Sequence, residues 1–198
     1  EQSIEAMAAL LEHDHAISDL VWGRLTSWRE LTAQFFDMPS RLPLLHQIAR
    51  VSIEYTAKPD APLNRSSALL LIGWLASRLG WTPVGSARDA HDTTMLTLQR
   101  SDGQPVEATL RSVATPDAEA GLLTSMVLEA PHARFSITRK NTSDWASAQS
   151  QVDGRSPLQH GVRLEQPSDA ELLGEELRLL KHDQNYKAAF RAAVQMLQ

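Results

Sequence analysis

RSSALLLIGWLASRLGW, residues 65–81, decides how the rest of the chain is read. Its apolar residues surround most of a helical circumference instead of forming one stripe, the pattern of a helix covered on more than one side. Gly80 stands where a left-handed residue closes a helix, and Asn64 or Ser66 stands where a side chain caps its start. A helix buried in this way needs a layer to lie on, and the flanking sequence supplies one.

RVSIEYTA, 50–57, alternates Val51, Ile53 and Tyr55 and reads as a strand. TMLTLQR (94–100) and PVEATLRSV (105–113) make a hairpin across an Asp102-Gly103 turn. LLTSMVLEA (122–130) and ARFSITRK (133–140) make a second hairpin across Pro131-His132. Residues 144–152 read as a further strand, and DGRSPLQHG, 153–161, reads as a loop. Helices flank this sheet. Residues 1–12 are helical in pattern, and HDHAISD, 13–19, breaks that pattern. Ser18 or Asp19 then caps a helix running to about Phe36. At the far end, 167–181 opens with Ser168 and, three positions on, Glu171, a capping-box pattern, and 182–197 forms a second helix. The expected fold is α+β: a mainly antiparallel sheet packed with a long buried helix and flanked by N- and C-terminal helices.

At 198 residues and 42% hydrophobic content the chain can bury a sizeable core, as one domain or one domain with an appendage. Nineteen basic and 24 acidic residues leave a formal net charge of -5, which gives no whole-chain basic signal for nucleic acid. Without cysteine there is no disulfide, thiolate catalysis or zinc–thiolate site within this sequence, and a cytoplasmic setting fits. No apolar run approaches the roughly 20 residues of a membrane span. The sequence opens on Glu1, which reads as a piece or a processed form of something longer.

Motifs for chemistry are sparse. His13 and His15 in HDH do not share a helix face, so they read as a polar turn before they read as metal ligands. Asp89, His91 and Asp92 lie in a loop before a strand and are the candidates for a small hydrolase, although no nucleophile or oxyanion site is marked beside them. Phosphate-cradling glycine motifs are absent. Arg65, Ser66 and Ser67 sit at a helix N-terminus, where free N–H groups favour anions; they fit a sugar phosphate, or simple capping. Arg111 and Arg139 on the sheet add to the first possibility. The paired acids Glu175 and Glu176 beside Arg178 and Lys181 read as a solvated helix face.

DLVWGRLTSWRE, 19–30, is the richest remaining stretch. At about 100° per residue, Trp22, Phe36, Leu25, Val21, Trp28 and Phe35 form one broad apolar stripe. Arg29 falls between Trp22 and Phe36, and Arg24 falls at the opposite margin beside Phe35. A guanidinium beside an indole can stack and still fork onto a carboxylate or phosphate. Two readings stay open: arginines that pack their stems on the core and pair within the fold, or a partner-binding surface of Trp22, Arg24, Trp28 and Arg29, since Trp and Arg dominate protein–protein hot spots.

DLVWGRLTSWRELTAQFFD, LLLIGWLASRLGW and SDAELLGEELRLL, in that order, resemble the C-terminal domain of the OpcA-type glucose-6-phosphate dehydrogenase assembly proteins. The matching blocks span about residues 18–185, with Trp22, Arg24, Trp28, Arg29, Trp74, Arg78, Gly80 and Trp81 as the characteristic positions. The resemblance implies that 18–198 is that C-terminal domain and that 1–17 is the remnant of a preceding helix or linker. It implies a non-catalytic assembly or allosteric activator subunit with glucose-6-phosphate dehydrogenase as protein partner, in the oxidative pentose phosphate pathway. No cofactor, metal, nucleic acid or membrane is expected. The alternatives are a sugar-phosphate-sensing module and, behind it, a hydrolase using His91 with Asp89.

Overall fold

A computed structural model describes residues 20–58, 63–89, 93–115, 118–141, 143–165, 168, 170–172 and 183–197. The expected helix of 1–12, the HDH turn, the Ser18 or Asp19 cap, His91, Asp92 and the 175–181 charge cluster lie outside these residues. Among the described residues the helices are α1 (Leu20–Arg24), α2 (Thr26–Gln34), α3 (Leu42–Leu45), α4 (Ser66–Leu79) and α5 (Gln184–Gln195), and residues 170–172 are helical as well. Eight strands join them: β1 (Arg50–Ala57), β2 (Thr82–Arg88), β3 (Thr94–Gln99), β4 (Pro105–Ala114), β5 (Leu123–Ala130), β6 (Ala133–Arg139), β7 (Trp145–Val152) and β8 (Leu158–Arg163). The class is α+β, as the sequence pattern implies.

The strands form one sheet in the order β2-β3-β4-β1-β5-β6-β7-β8. Every pairing is antiparallel except β1 with β4, which run parallel, so α4, β2 and β3 form the crossover between them. Alternation in sequence becomes sidedness in space. Val51, Ile53, Tyr55, Leu96, Leu98, Val106, Ala108, Leu110, Phe135 and Ile137 are buried on one face under the helices. The intervening residues face outward, as antiparallel sheets allow. Asp102-Gly103 turns as expected, with Gly103 at φ 83° and Asp102 Oδ1 accepting from the Gln104 N–H at 3.0 Å.

Helix α4 is buried from Ala68 to Gly73 and at Leu75 and Ala76, packing on β1 and β4 and against α1 and α5. Gly80 closes it in the left-handed conformation, φ 66°. Its start differs in detail from expectation: Arg65 holds the cap position, and Asn64 Oδ1 accepts from the Ser66 N–H at 3.3 Å. Gly73 sets the helix–helix distance. A β-carbon there would lie 2.2 Å from the Ala189 carbonyl oxygen of α5, so only hydrogen fits. The capping box at Ser168 is formed, with Glu171 Oε2 accepting from the Ser168 N–H at 2.8 Å and Oγ at 2.7 Å.

Two readings need correction. Residues 158–161 are not loop: they open β8, an edge strand exposed at every position except the half-buried Val162, so no alternation marks it. The opposite edge strand, β2, is similarly exposed and carries no strand pattern either. The single helix expected up to Phe36 is two, broken at Leu25, whose N–H bonds back three residues to the Trp22 carbonyl at 3.1 Å.

Candidate functional site

The break at Leu25 shapes the site. Trp22 and Trp28 both enter the core, at 5% and 2% exposure. The Trp22 indole N–H donates to Asp183 Oδ2 at 2.7 Å, and its ring meets Tyr186 at 5.7 Å between centroids. Asp183 is also the N-cap of α5, its Oδ1 accepting from the Asn185 and Tyr186 N–H groups. One carboxylate thus ties α1 to the start of α5. Arg78 adds a second tie to the same turn, from α4, donating to Asn185 Oδ1 at 3.0 Å.

Arg29 lies over the Trp22 ring, 3.6 Å from its centroid, and donates to Thr26 Oγ1 at 2.9 Å. Burial lowers its pKa from the usual arginine value, while Asp183 and Glu30 act in the opposite sense; the group stays cationic at neutral pH. Arg24 lies toward solvent and pairs with Glu119 at 3.2 Å.

Beneath Arg24 is a cleft of about 200 Å³. Trp28, Asn64, Ser67, Glu119 and Arg139 share its walls with Arg24. Arg139 is 7% exposed, donates Nε to the Leu123 carbonyl at 3.0 Å and Nη1 to the Ser143 carbonyl at 2.7 Å, and lies 5.9 Å from the Trp28 ring. Burial lowers its pKa, and Asp144 opposes that shift. The 119–122 loop is fastened to the end of β1: Thr56 Oγ1 donates to the Glu119 carbonyl, and the Gly121 N–H donates to the Thr56 carbonyl at 2.9 Å.

The candidate anion group divides here. Ser67 lines the cleft. Arg65 turns to β3, donating to Thr94 Oγ1 at 3.3 Å, and Ser66 gives its N–H to Asn64. The structure therefore unites Arg24, Ser67 and Arg139 and sends Arg65 elsewhere. Asp89 closes the β2–β3 loop, its Oδ1 accepting from the Thr93 N–H at 2.9 Å. Arg111 pairs with Glu54 on the outer sheet face. Glu119 carries no signal in the sequence, and Asp183 carries only that of a helix N-cap. They lie 95 and 161 positions from their partners, and no local pattern reports such distances. Among the described residues no group of three or more His, Asp or Glu is placed to hold a metal ion, and no helix is long and apolar enough to cross a membrane.

Comparison with known proteins adds three results. The chain is 39% identical over 119 residues to a Nostoc punctiforme protein and 35% identical over 119 residues to one from a Synechocystis strain, both provisionally named OxPP cycle protein OpcA. Each alignment covers 59% of this chain and 24% of the relative, so the chain spans about a quarter of the length of the curated relatives it matches. Among solved structures, a point mutant of KijD10, a 3-ketoreductase from Actinomadura kijaniata, aligns over 98% of this chain and 63% of its own with TM-score 0.59 and 10% identity. An aldose-aldose oxidoreductase from Caulobacter crescentus aligns over 98% and 64% with TM-score 0.50 and 15% identity. At such identities these two report a shared fold alone. The family model described as the C-terminal domain of the glucose-6-phosphate dehydrogenase subunit matches residues 15–190, and the chain belongs to that family.

Proposed function

We propose that this chain is the C-terminal domain of a non-catalytic subunit that binds glucose-6-phosphate dehydrogenase, assists its assembly and favours its active oligomer. The family match over residues 15–190 carries this reading. A protein that binds one state of an oligomer better than another shifts the population by mass action, and needs no catalytic group for it. The proposed setting is the cytoplasm and the oxidative pentose phosphate pathway, with neither nucleic acid nor membrane as partner.

The contact surface we assign is the rim that carries Arg24 at one margin of the apolar stripe and Arg29 at the other. Trp22, buried beneath Arg29, stacks on its guanidinium, and Trp28 is buried in the core near Arg139; we assign both as supports of this surface. The test mixes the full-length protein with its cognate dehydrogenase. Co-migration and a change in apparent glucose 6-phosphate affinity are expected; neither appearing would overturn the reading.

The cleft favours a second reading, a sugar-phosphate sensor. Two arginines, one carboxylate and the Ser67 hydroxyl line it, and an anion would compete with Glu119 for Arg24. Calorimetry with glucose 6-phosphate and with 6-phosphogluconate tests it, and absence of heat at millimolar ligand would remove it.

A further inference from the structure

The sheet face turned away from the helices carries an ordered charge pattern. Register places Glu107 of β4, Arg50 of β1, Glu129 of β5 and Arg134 of β6 side by side in one row across the sheet. Their charges alternate, and neighbours pair: Arg50 with Glu107 at 3.5 Å, and Arg134 with Glu129. The next row is Thr109, Ser52, Val127 and Ser136, all short side chains. The third is Arg111, Glu54, Ser125 and Thr138, with Arg111 paired to Glu54.

We propose that this face binds a second copy of the chain, sheet on sheet, about a two-fold axis running along the strands between β1 and β5. The reading is independent of the dehydrogenase partner, whose assigned contact lies on the helical layer.

That axis sets β1 over the partner's β5 and β4 over its β6. Every charge in the first row then meets its opposite: Arg50 faces Glu129 of the partner subunit, and Glu107 faces Arg134 of the partner subunit. In the third row Arg111 faces Thr138 of the partner subunit and Glu54 faces Ser125 of the partner subunit, so no like charges meet. The row of short side chains between them lets the two backbones approach. Packed sheets cross at about 30°, a displacement that Arg and Glu side chains span. An isologous contact requires this self-complementarity, residue i on j and j on i. Size agrees. Eight strands about 4.8 Å apart, each offering roughly 20 Å of length, present roughly 800 Å², the share one partner gives a standard interface.

Sedimentation of the 198-residue chain from about 1 to about 200 µM, the range in which a contact of this size and polarity associates, is expected to show a monomer–dimer equilibrium that weakens with salt. Arg134→Glu sets two carboxylates against each other at each end of the interface, and Glu107→Arg does the converse with two guanidinium groups. Each variant alone is expected to raise the dissociation constant more than about tenfold, with an unchanged circular dichroism spectrum. Mixing the two variants restores opposite charges at both ends. At one end the introduced arginine meets the introduced glutamate, and at the other the native Arg134 meets the native Glu107. The heterodimer is therefore expected to form at near wild-type affinity. A wild-type chain that stays monomeric throughout, single variants that associate like wild type, or folded variants that fail to recover on mixing would each overturn the proposal. So would a monomer that instead loses dehydrogenase binding on Arg134→Glu, which would assign the face to that partner.

Discussion

Trp22 and Asp183 are 161 residues apart in the chain and 2.7 Å apart in the fold. The same carboxylate caps α5, so removing it breaks two attachments at once. Asp183→Ala is expected to cost about 2–3 kcal/mol, combining a lost cap with an indole N–H left without its acceptor. Asp183→Asn, which keeps one acceptor oxygen, is expected to lose less than half of that. Urea unfolding followed by tryptophan fluorescence measures both.

Gly73→Ala is expected to cost about 2–3 kcal/mol or more, because the new methyl meets the Ala189 carbonyl and must push α4 from α5. Gly80→Ala meets nothing within 4 Å and suffers only from its left-handed backbone, a cost of about 1 kcal/mol. Thermal melts of the two variants separate a steric penalty from a conformational one.

Arg29 and Arg24 are expected to behave differently. Arg29→Ala removes a stacked guanidinium and its stem from a half-buried site, a loss of about 1–2 kcal/mol. Arg29→Met keeps the stem, leaves no buried Nε to satisfy, and is expected to recover most of it. Arg24→Ala breaks an ion pair exposed on both sides, and its effect on stability is expected to stay below about 1 kcal/mol. If the dehydrogenase docks on this rim, Arg24→Ala loses binding while the melting temperature holds. A pull-down beside a melt on the same preparation decides it.

Two exposed carboxylates are expected to shape the acid limb of stability. Hydrogen bonds from the Ser168 side chain and backbone lower the Glu171 pKa, and the Arg100 side chain followed by the Gln104 N–H lowers that of Asp102. A carboxylate with a lowered folded pKa stabilises fully above its unfolded value, about pH 4. That contribution disappears as the pH falls through the folded value. The double variant Asp102→Asn, Glu171→Gln is expected to be less stable than wild type at neutral pH and to lose less on acidification, as melts between neutral and strongly acidic buffer would record.

What sequence conveys here depends on burial. The core strands β1, β3, β4, β5 and β6 bury alternate residues and can be read directly, as can α4, buried all round, and the Gly103 turn. Strands β2 and β8 lie at the two sheet edges with nearly every side chain in water, so Gly85 and Gly161 sit in them without cost to packing and no period appears. The adjacency of Arg29 and Trp22 follows from helical angles, which hold locally even though the helix breaks at Leu25. The cleft does not, because Arg24, Ser67, Glu119 and Arg139 come from four separate segments and meet only through the sheet register.

The parallel pairing of β1 and β4 has a temporal meaning. β1 is the first strand of the sheet to leave the ribosome, yet it ends at the middle of the sheet, with β4 on one side and β5 on the other. Neither neighbour exists until synthesis has passed Ala114 and Ala130. Until then Val51, Ile53 and Tyr55 have no sheet to join, and the hairpin of β3 and β4 can close before β1 is seated. Folding of this domain therefore waits on long-range closure and not on local order, and a nascent chain halted before β5 would carry its central strand with one edge open to aggregation.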